Sequence, residues 1–246
     1  MEQMRITKNL SVIIPALNEE KNICQAVQSV QGAIAGIVDD YEIIIVNDGS
    51  SDKTGLLAEE VARSDARVKV FHNKTNQGYG YCYRKGVSLA QKTYVSVFPG
   101  DNDMSGETLR ALVQRAGAAD VIFTNEKTAE KRSLLRRILS RCFVVLINSI
   151  SGLKLNYYTG AFLCKTSLAR SITLESDGLA IGAECLVKLL KSGCSYATIA
   201  LEHSGRKQGS SKALTLRSLI SVIKTIIVVV KASSSSKNKF CLNAKE

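Results

Sequence analysis

The first 126 residues alternate short β-branched runs with stretches of helical pattern, and this alternation limits the possible folds more than any other feature. Five apolar runs are typical of buried strands: Leu10–Ile14, Glu42–Val46, Val68–Phe71, Tyr94–Phe98 and Val121–Phe123. The segments between them favour helices at 19–36, 53–64, 79–91 and 105–117. Alternation at this spacing predicts an α/β fold whose sheet is largely parallel near its N-terminus.

Size and composition exclude several classes of protein. A chain of 246 residues with 45% hydrophobic and 22% charged residues can bury a core and is not typical of disorder. Seven cysteines without a C-x-x-C pair indicate reduced thiols in a cytosolic protein and not a disulfide framework or a zinc site. No secretory signal is visible. The longest uncharged stretch of the second half, Cys142–Leu153, is shorter than the roughly 20 residues that a membrane span needs, so we expect no span.

The formal net charge of +11 is concentrated in two segments. Residues 127–141 contain six basic residues and one acidic residue, and residues 203–246 contain nine and one. Such clusters indicate an anionic partner, which at this point is a phosphorylated ligand, a nucleic acid or an acidic lipid surface. A solvated basic face that aids solubility is the alternative. Because no recognised nucleic-acid module is present, we do not expect a nucleic-acid partner.

Polar residues follow three of the expected strands. They are Pro15–Glu19 after the first strand, Asn47–Ser50 after the second and Gly100–Asp103 after the fourth. Ligands of parallel α/β sheets bind beyond the carboxyl ends of the strands, so these segments are candidates for a binding site. Two carboxylates one residue apart, as in Asp101 and Asp103, can bind one divalent cation, and a diphosphate would complete its coordination. Ordinary turn chemistry remains the alternative for each segment alone.

The segment Asn76-x-Gly-x-Gly80 fits neither of the common nucleotide-binding fingerprints. It lacks the third glycine of the dinucleotide motif and the Gly-Lys-Ser/Thr of the phosphate loop. A helix that begins there would nevertheless point its N-terminus at an anion.

Taken in order, these segments resemble the family 2 glycosyltransferases of GT-A fold. The blocks that carry the resemblance are Ser11–Glu20, Ile44–Asp52, Asn76–Gly80 and Asp101–Asp103. Three further blocks are similar to the branch that glycosylates polyprenyl phosphates, typified by dolichol-phosphate mannose synthase. They are Thr159–Phe162, Gly182–Glu184 and the Arg-x-x-Gly-x-Ser-Lys string at 206–212. The resemblance covers residues 10–231 and implies a GT-A fold with a mostly parallel central sheet flanked by helices.

The resemblance also implies the site residues. The positions that match those that bind the donor nucleotide are Pro15, Leu17, Glu19, Asn47, Asp48 and Asn102. Asp101 and Asp103 match the pair that holds Mg²⁺ or Mn²⁺, and Ser105 stands where the family often has a metal-binding Gln. The positions that match contacts to the acceptor phosphate are Arg136, Ser140 and Arg206. The residues implied in catalysis are Asp101, Asp103, Arg206 and Lys212.

The implied reaction is a metal-dependent, inverting transfer of one sugar from a GDP- or UDP-sugar to a polyprenyl phosphate, either dolichyl or undecaprenyl. The protein would act as a peripheral protein on the cytoplasmic face of a membrane, and a homo-oligomer or a membrane-protein partner is compatible with this. One alternative is the same donor chemistry on a sugar acceptor in surface glycan synthesis. Another is a catalytically inactive module that binds a membrane surface.

Two basic segments have the periodicity of amphipathic helices. In 130–150 and again in 213–231, apolar residues fall on one side of the expected helix and Arg or Lys residues on the other. Such helices lie on an anionic membrane surface, or their apolar stripes pack on the sheet, and both interpretations are open. Ile226–Val230 is also β-branched enough to form a strand at a self-association edge. We expect residues 1–212 to form the GT-A domain, 213–231 an amphipathic helix and 232–246 a disordered tail.

Overall fold

A computed structural model describes residues 9–126, 134–178, 180–201 and 225–230. The strands in these ranges are β1 Asn9–Ala16, β2 Asp40–Asn47, β3 Val68–His72, β4 Tyr94–Val97, β5 Val121–Glu126, β6 Phe162–Lys165 and β7 Tyr196–Leu201. The helices are α1 Ile23–Ile34, α2 Thr54–Ser64, α3 Tyr79–Leu89, α4 Gly106–Gln114, α5 Leu134–Ser151, α6 Thr166–Ser171 and α7 Ile181–Lys191. Residues 225–230 are also helical. The five strands and four helices expected in the first 126 residues are confirmed.

The strands form one sheet with the order β3-β2-β1-β4-β6-β5-β7. Strand β6 runs antiparallel to its neighbours β4 and β5, and every other pair in the sheet is parallel. The expected parallel arrangement near the N-terminus is therefore confirmed. Because β1 lies between β2 and β4, the loops that follow these three strands share one edge of the sheet.

Both faces of the sheet are covered by helices, which explains why the strand sequences are apolar at consecutive positions. Along β1, Val12 and Ile14 pack with residues of α1 and α4, whereas Ile13 packs with residues of α3 and α7. All three side chains are fully buried. A strand buried on both faces has no solvent side, so it loses the period-two alternation and reads as a continuous hydrophobic run.

The apolar stripe predicted for α5 is packed only in part, because Ile150 contacts the core whereas other residues of the stripe are exposed. Its buried side includes Ile147 and Ser151, while the opposite side exposes large apolar residues to solvent. These exposed residues are Ile138, Leu139, Val145 and Leu146. Arg141 and Cys142 are exposed on the same arc of the helix, so the expected separation of the Arg residues from the apolar side is wrong at Arg141. The interpretation in which this stripe is part of the core is therefore wrong for these positions.

The helix at 225–230 likewise has one buried side and one exposed side. Thr225, Val228 and Val229 are buried, whereas Ile227 and Val230 are about half exposed. The alternative in which Ile226–Val230 forms an edge strand is wrong, because these residues are helical. The remainder of 213–231, residues 213–224 and 231, and the tail 232–246 lie outside the described residues. In the part of the chain that the structure describes, no helix has both the length and the hydropathy to cross a membrane.

Candidate active site

The loops after β1, β2 and β4 meet at the carboxyl edge of the sheet. The backbone N–H of Asp48 donates to the carbonyl of Ala16 at 2.8 Å, and the N–H of Gly100 donates to the carbonyl of Pro15 at 3.2 Å. A Cβ atom on Gly100 would lie 2.6 Å from that same carbonyl oxygen, so the β4 loop passes directly over the end of β1. The sequence-predicted segments are therefore brought together at one site.

Hydrogen bonds between side chains and backbone tie the β1 loop to the β2 loop. The N–H of Asn18 donates to Oγ of Ser50 at 3.0 Å, and Oδ1 of Asn18 accepts from the N–H of Ser51 at 2.9 Å. Asn18 has a φ of 56°, a left-handed conformation that asparagine tolerates better than most residues. The N–H of Glu19 donates to Oγ1 of Thr54 at 2.7 Å. Of the predicted donor residues here, Pro15 is buried, and Leu17 and Glu19 are partly exposed at the edge of the site.

Asn47 is held by contacts on both sides of its amide. Its Nδ2 donates to Nδ1 of His72 at 2.9 Å, and its Oδ1 accepts from the N–H of Ser50 at 3.2 Å. Nε2 of His72 lies 2.9 Å from Oε1 of Glu59 on α2. Asn47 is buried and fixes the turn that follows β2. Both amide atoms of Asn47 are engaged by other residues of the protein, so Asn47 stabilises the loop that borders the site.

Asp48 is 3% exposed and organises the chain that leads into α3. Its Oδ1 accepts from the N–H of Gln77 at 2.8 Å and from Nδ2 of Asn73 at 2.7 Å, and its Oδ2 accepts from the N–H of Gly78 at 2.9 Å. The anion that faces the N-terminus of α3 is therefore this carboxylate, which satisfies amide groups that the helix leaves unpaired. We call residues Gln77–Gly80 the 77–80 turn. Gly78 has a φ of 94°, which favours glycine at this position.

One residue of the 77–80 turn is influenced by the charge of the loop after β4. Tyr79 is partly buried, and its pKa lies well above the ordinary value because of burial and, secondarily, because of the negative charge of Asp101. The charge of the Asp101 loop therefore acts on the same turn that Asp48 binds through hydrogen bonds.

The residues Asp101, Asn102 and Asp103 form a tight loop with partly exposed side chains. The N–H of Asp103 donates to Oδ1 of Asp101 at 3.2 Å, and Asn102 has a left-handed φ of 55°. Oδ1 of Asn102 is buried and accepts no hydrogen bond from any described residue. A buried oxygen of this kind is costly unless a ligand or water satisfies it.

The carboxylate oxygens of Asp101 and Asp103 are suitable ligands for a hard divalent cation. Mg²⁺ and Mn²⁺ prefer carboxylate, carbonyl and water ligands, and Asp101 and Asp103 present two carboxylates on one short loop. Within the described ranges, no cluster of three or more His, Cys, Asp or Glu side chains is able to hold a metal ion. A cation bound by Asp101 and Asp103 would need further oxygens, and a diphosphate has them.

Ser105 has a structural role in addition to its predicted one. It is the N-cap of α4, and its Oγ accepts from the N–H of Thr108 at 3.3 Å and lies 3.0 Å from Oγ1 of Thr108. Its part in metal binding stays a prediction, as does that of Asn102 in donor binding.

The predicted acceptor residues are located only in part. Ser140 is half buried on α5, and Arg136 lies one turn earlier in the same helix, where its side chain is outside the described residues. Arg206 and Lys212 also lie outside the described residues. The structure thus assembles the predicted donor and metal residues, while the assignments of Arg136, Ser140, Arg206 and Lys212 stay predictions.

A buried carboxylate beside this region is not among the site residues predicted from the sequence. Glu184, in the first turn of α7, is 0% exposed and accepts hydrogen bonds from two backbone N–H groups, those of Glu175 and Ser176. The sequence contains a signal for this residue. Glu184 is flanked by Ala183 and Cys185 in an apolar helix, and a buried carboxylate in such a helix requires hydrogen-bond partners.

Comparison with known proteins identifies the family. The model of the family described as "Glycosyl transferase family 2" matches residues 11–171. The chain belongs to this family. That span contains most of β1, all of β2 to β6, and the loops that carry the predicted donor and metal residues.

Two relatives align with most of the chain. The dodecaprenyl-phosphate galacturonate synthase of Rhizobium johnstonii is 24% identical over 207 residues, which is 82% of this chain and 61% of the relative. The undecaprenyl-phosphate 4-deoxy-4-formamido-L-arabinose transferase of Pseudomonas fluorescens is 24% identical over 218 residues, which is 87% of this chain and 62% of the relative. The chain spans less than two thirds of the length of each of these two relatives.

The solved structures confirm the fold. The crystal structure of glucosyl-3-phosphoglycerate synthase from Mycobacterium tuberculosis, in complex with Mn²⁺, UDP-glucose and phosphoglyceric acid, superposes with a TM-score of 0.67 at 17% identity. The match covers 91% of this chain and 80% of that protein. The GT-A fold expected from the sequence resemblance is therefore confirmed.

Proposed function

We propose that this protein transfers a single sugar from a GDP- or UDP-sugar to a polyprenyl phosphate, with inversion at the sugar carbon and with Mg²⁺ or Mn²⁺ bound. The observation that carries the proposal is that the loops after β1, β2 and β4, which carry Asp48 and the Asp101–Asp103 pair, meet at one edge of the sheet. Its acceptor class is supported by the two relatives above, whose names specify dodecaprenyl and undecaprenyl phosphate.

The proposed reaction does not require a general base. An oxygen of the acceptor phosphate forms the bond to the anomeric carbon while the bond from that carbon to the donor diphosphate breaks, and the nucleoside diphosphate leaves. A phosphate is ionised near neutral pH, so no proton must be removed from the attacking oxygen. The remaining task is to bind and orient the donor and to stabilise the charge on the leaving diphosphate.

The residues of this chain divide that task. Asp48, Asn47 and the 77–80 turn shape the nucleotide site, and Asp101 and Asp103 hold the cation. A divalent cation supplies positive charge to the donor diphosphate. Arg206 and Lys212 add positive charge at the phosphates, and Arg136 with Ser140 binds the acceptor phosphate. The roles of the individual side chains follow from the family resemblance at those positions, and the role of the 77–80 turn follows from its hydrogen bonds to Asp48.

The acceptor carries a long hydrocarbon chain, so we also propose that the protein works at the cytoplasmic face of a membrane as a peripheral protein. Support comes from α5, whose exposed arc combines Ile138, Val145 and Leu146 with Arg141. Apolar side chains beside a cation suit the boundary between acyl chains and anionic headgroups. Ile227 and Val230 are further exposed apolar residues near the C-terminus.

One assay tests the proposal. The full chain is incubated with a panel of UDP- and GDP-sugars, Mn²⁺ or Mg²⁺, and either undecaprenyl or dolichyl phosphate in detergent, and the products are read by mass spectrometry. We expect one glycosyl phosphate lipid and the matching nucleoside diphosphate. Transfer to soluble sugars without transfer to lipid phosphate would overturn the acceptor class. Absence of transfer to either class would favour a binding module without turnover.

A further inference from the structure

Glu184 is a buried carboxylate, and its hydrogen bonds to the described residues go to a single segment and to its own helix. Oε1 accepts from the N–H of Glu175 at 2.9 Å, and Oε2 accepts from the N–H of Ser176 at 2.8 Å. Nζ of Lys188, one turn later in α7, donates to Oε1 at 2.7 Å. We call residues 175–178 the α7-leading segment. The carboxylate thereby fixes the backbone of this segment against the start of α7.

The α7-leading segment lies directly on the 77–80 turn. The N–H of Gly80 donates to the carbonyl of Asp177 at 2.8 Å. A Cβ on Gly80 would lie 2.0 Å from the carbonyl oxygen of Ser176, and a Cβ on Gly78 would lie 2.7 Å from that of Asp177. Real Cβ atoms do not approach backbone this closely, so only glycine permits the contact. The two glycines of the Asn76-x-Gly-x-Gly80 motif are therefore required by the α7-leading segment.

A second residue of α3 reinforces the contact. Nη1 of Arg84 donates to the carbonyl of Ser176 at 2.6 Å, and Nη2 of Arg84 pairs with Oδ1 of Asp177 at 2.9 Å. The α7-leading segment is thus held by Glu184 on one side and by α3 on the other. Any displacement of the segment must be accommodated by the 77–80 turn.

We infer that Glu184 is a positioning residue of the donor site, because it holds the segment that packs on the 77–80 turn, which Asp48 binds from the other side. This inference rests on the proposed function for the identity of the ligand. The turn is bound on one side by Asp48 and on the other by Asp177. Loss of the Glu184 contacts releases one of these two supports. The nucleotide then binds to a turn that is no longer preorganised.

Glu184 does not act as the catalytic base. Burial acts to raise its pKa, but the hydrogen bonds from Lys188, Ser176 and Glu175 outweigh burial and hold the pKa below its ordinary value. The group is therefore ionised at neutral pH, and each of its oxygens is engaged by a backbone N–H. Its effect reaches the reactants through the 77–80 turn.

The test is Glu184→Gln in the full chain, with two measurements. A glutamine keeps one oxygen but presents an NH₂ group to one of the two backbone N–H donors, which leaves a buried donor unsatisfied. We expect binding of UDP or GDP in the presence of Mn²⁺, measured by calorimetry, to weaken about 10-fold. Hydrogen exchange at the amides of Gln77, Gly78 and Gly80 should accelerate, while the KM for the lipid acceptor stays unchanged.

Glu42 offers a matched control. It is also buried, and it accepts hydrogen bonds from the N–H of Gln91, the hydroxyl of Ser11 and Nζ of Lys69, but it lies near the start of β2 at the opposite edge of the sheet. Glu42→Gln should lower the free energy of unfolding without changing nucleotide affinity or exchange in the 77–80 turn. If Glu42→Gln and Glu184→Gln reduced nucleotide affinity equally, Glu184 would be a stability residue only, and the inference would fail.

A second pair of variants tests the contact between Gly80 and the α7-leading segment from the α3 side. This test remains possible even if the Glu184→Gln variant does not fold. Gly80→Ala places a methyl group against the Ser176 carbonyl, whereas Gly32→Ala in α1 meets nothing within 4 Å. Alanine is the better helix former at both positions, so only the clash predicts a loss of nucleotide affinity for Gly80→Ala.

The outcomes separate the inference from the proposed function. Unchanged exchange in the 77–80 turn for both Glu184→Gln and Gly80→Ala would overturn the positioning role. If the wild-type chain bound neither UDP nor GDP, the proposed function would be wrong, and the exchange data would still decide whether Glu184 controls the turn.

Discussion

The carboxylate of Asp48 accepts a hydrogen bond from the backbone N–H of Gly78 at 2.9 Å, and this contact joins two segments that lie 30 residues apart in the chain. It connects the end of β2 to the beginning of α3. Because Gln77 donates to the same carboxylate, the side chain binds two consecutive amides, as an anion bound at a helix N-terminus would. A residue expected to contact the nucleotide thus also holds the backbone at the edge of the proposed nucleotide site.

The first prediction concerns Asp48→Asn. An asparagine has one oxygen and one NH₂ group, so at least one of the amides that now donate to Asp48 loses its acceptor. We expect the free energy of unfolding to fall by about 1–3 kcal/mol and nucleotide affinity to fall at least 10-fold. Chemical denaturation and calorimetric titration with UDP or GDP and Mn²⁺ measure the two effects.

Asp120→Asn is the control for that variant. Asp120 likewise accepts from a backbone N–H and a hydroxyl, both of Ser195, but it lies where β5 begins, away from the carboxyl edge of the sheet. It should lose stability and keep nucleotide affinity. Wild-type affinity in Asp48→Asn would show that the 77–80 turn does not depend on the carboxylate.

The second prediction concerns the metal. Without a cation, the carboxylates of Asp101 and Asp103 would repel the donor diphosphate. Replacement of either residue by Ala, or removal of the metal with EDTA, should reduce sugar transfer by roughly 100-fold or more. Glu107→Gln, which removes an exposed carboxylate from the first turn of α4, should retain activity. Full activity of Asp103→Ala in excess EDTA would contradict the metal role.

The sequence predicted the parallel half of the fold well because its signals are local. Each strand is a β-branched run, and each loop after β1, β2 and β4 carries polar residues that turns require. The edge at which these loops meet follows from parallel pairing alone. The same reasoning located Asp48, Asp101 and Asp103 without any knowledge of their partners.

The contacts of Glu184 and the exposure of α5 were not predictable in this way. Glu184 and the 77–80 turn are separated by about 100 residues of sequence. The hydrophobic pattern of a sequence does not indicate which backbone carbonyl will lie next to a given glycine. For α5, the pattern shows that one side of the helix is apolar but not whether that side faces the sheet. Only the packing of Ile147 and Ser151 on the opposite side decides it.

The third prediction concerns stability at acid pH. Burial acts to raise the pKa of Glu42, but the hydrogen bonds from Lys69, Gln91 and Ser11 outweigh it, and the pKa is lowered in the folded state. A lowered folded pKa contributes stability above the unfolded pKa of about 4.3, and this contribution is lost as the pH falls through the folded pKa. Glu184 follows the same rule.

Denaturant unfolding of the wild type between pH 7 and pH 3 should therefore show a fall in stability below about pH 5. In Glu42→Gln the stability at pH 7 should be lower, and its decline toward pH 3 should be shallower, because one titrating group is gone. Parallel pH curves for the two proteins would mean that Glu42 titrates alike in the folded and unfolded chains.

The last prediction concerns the membrane. Val145 is 63% exposed in the middle of the apolar arc of α5, so Val145→Glu should leave the fold intact while it places an anion on the surface proposed to meet the bilayer. We expect the wild type to float with vesicles that contain anionic lipid and to bind less as salt increases, since each Lys or Arg near such a surface contributes about 1 kcal/mol. Val145→Glu should lose this binding. Leu56→Glu on α2, where the side chain is 56% exposed, is the matched control and should bind as the wild type does. Equal flotation of all three proteins would mean that α5 is not the docking surface, and equal binding to neutral and anionic vesicles would mean that charge does not contribute.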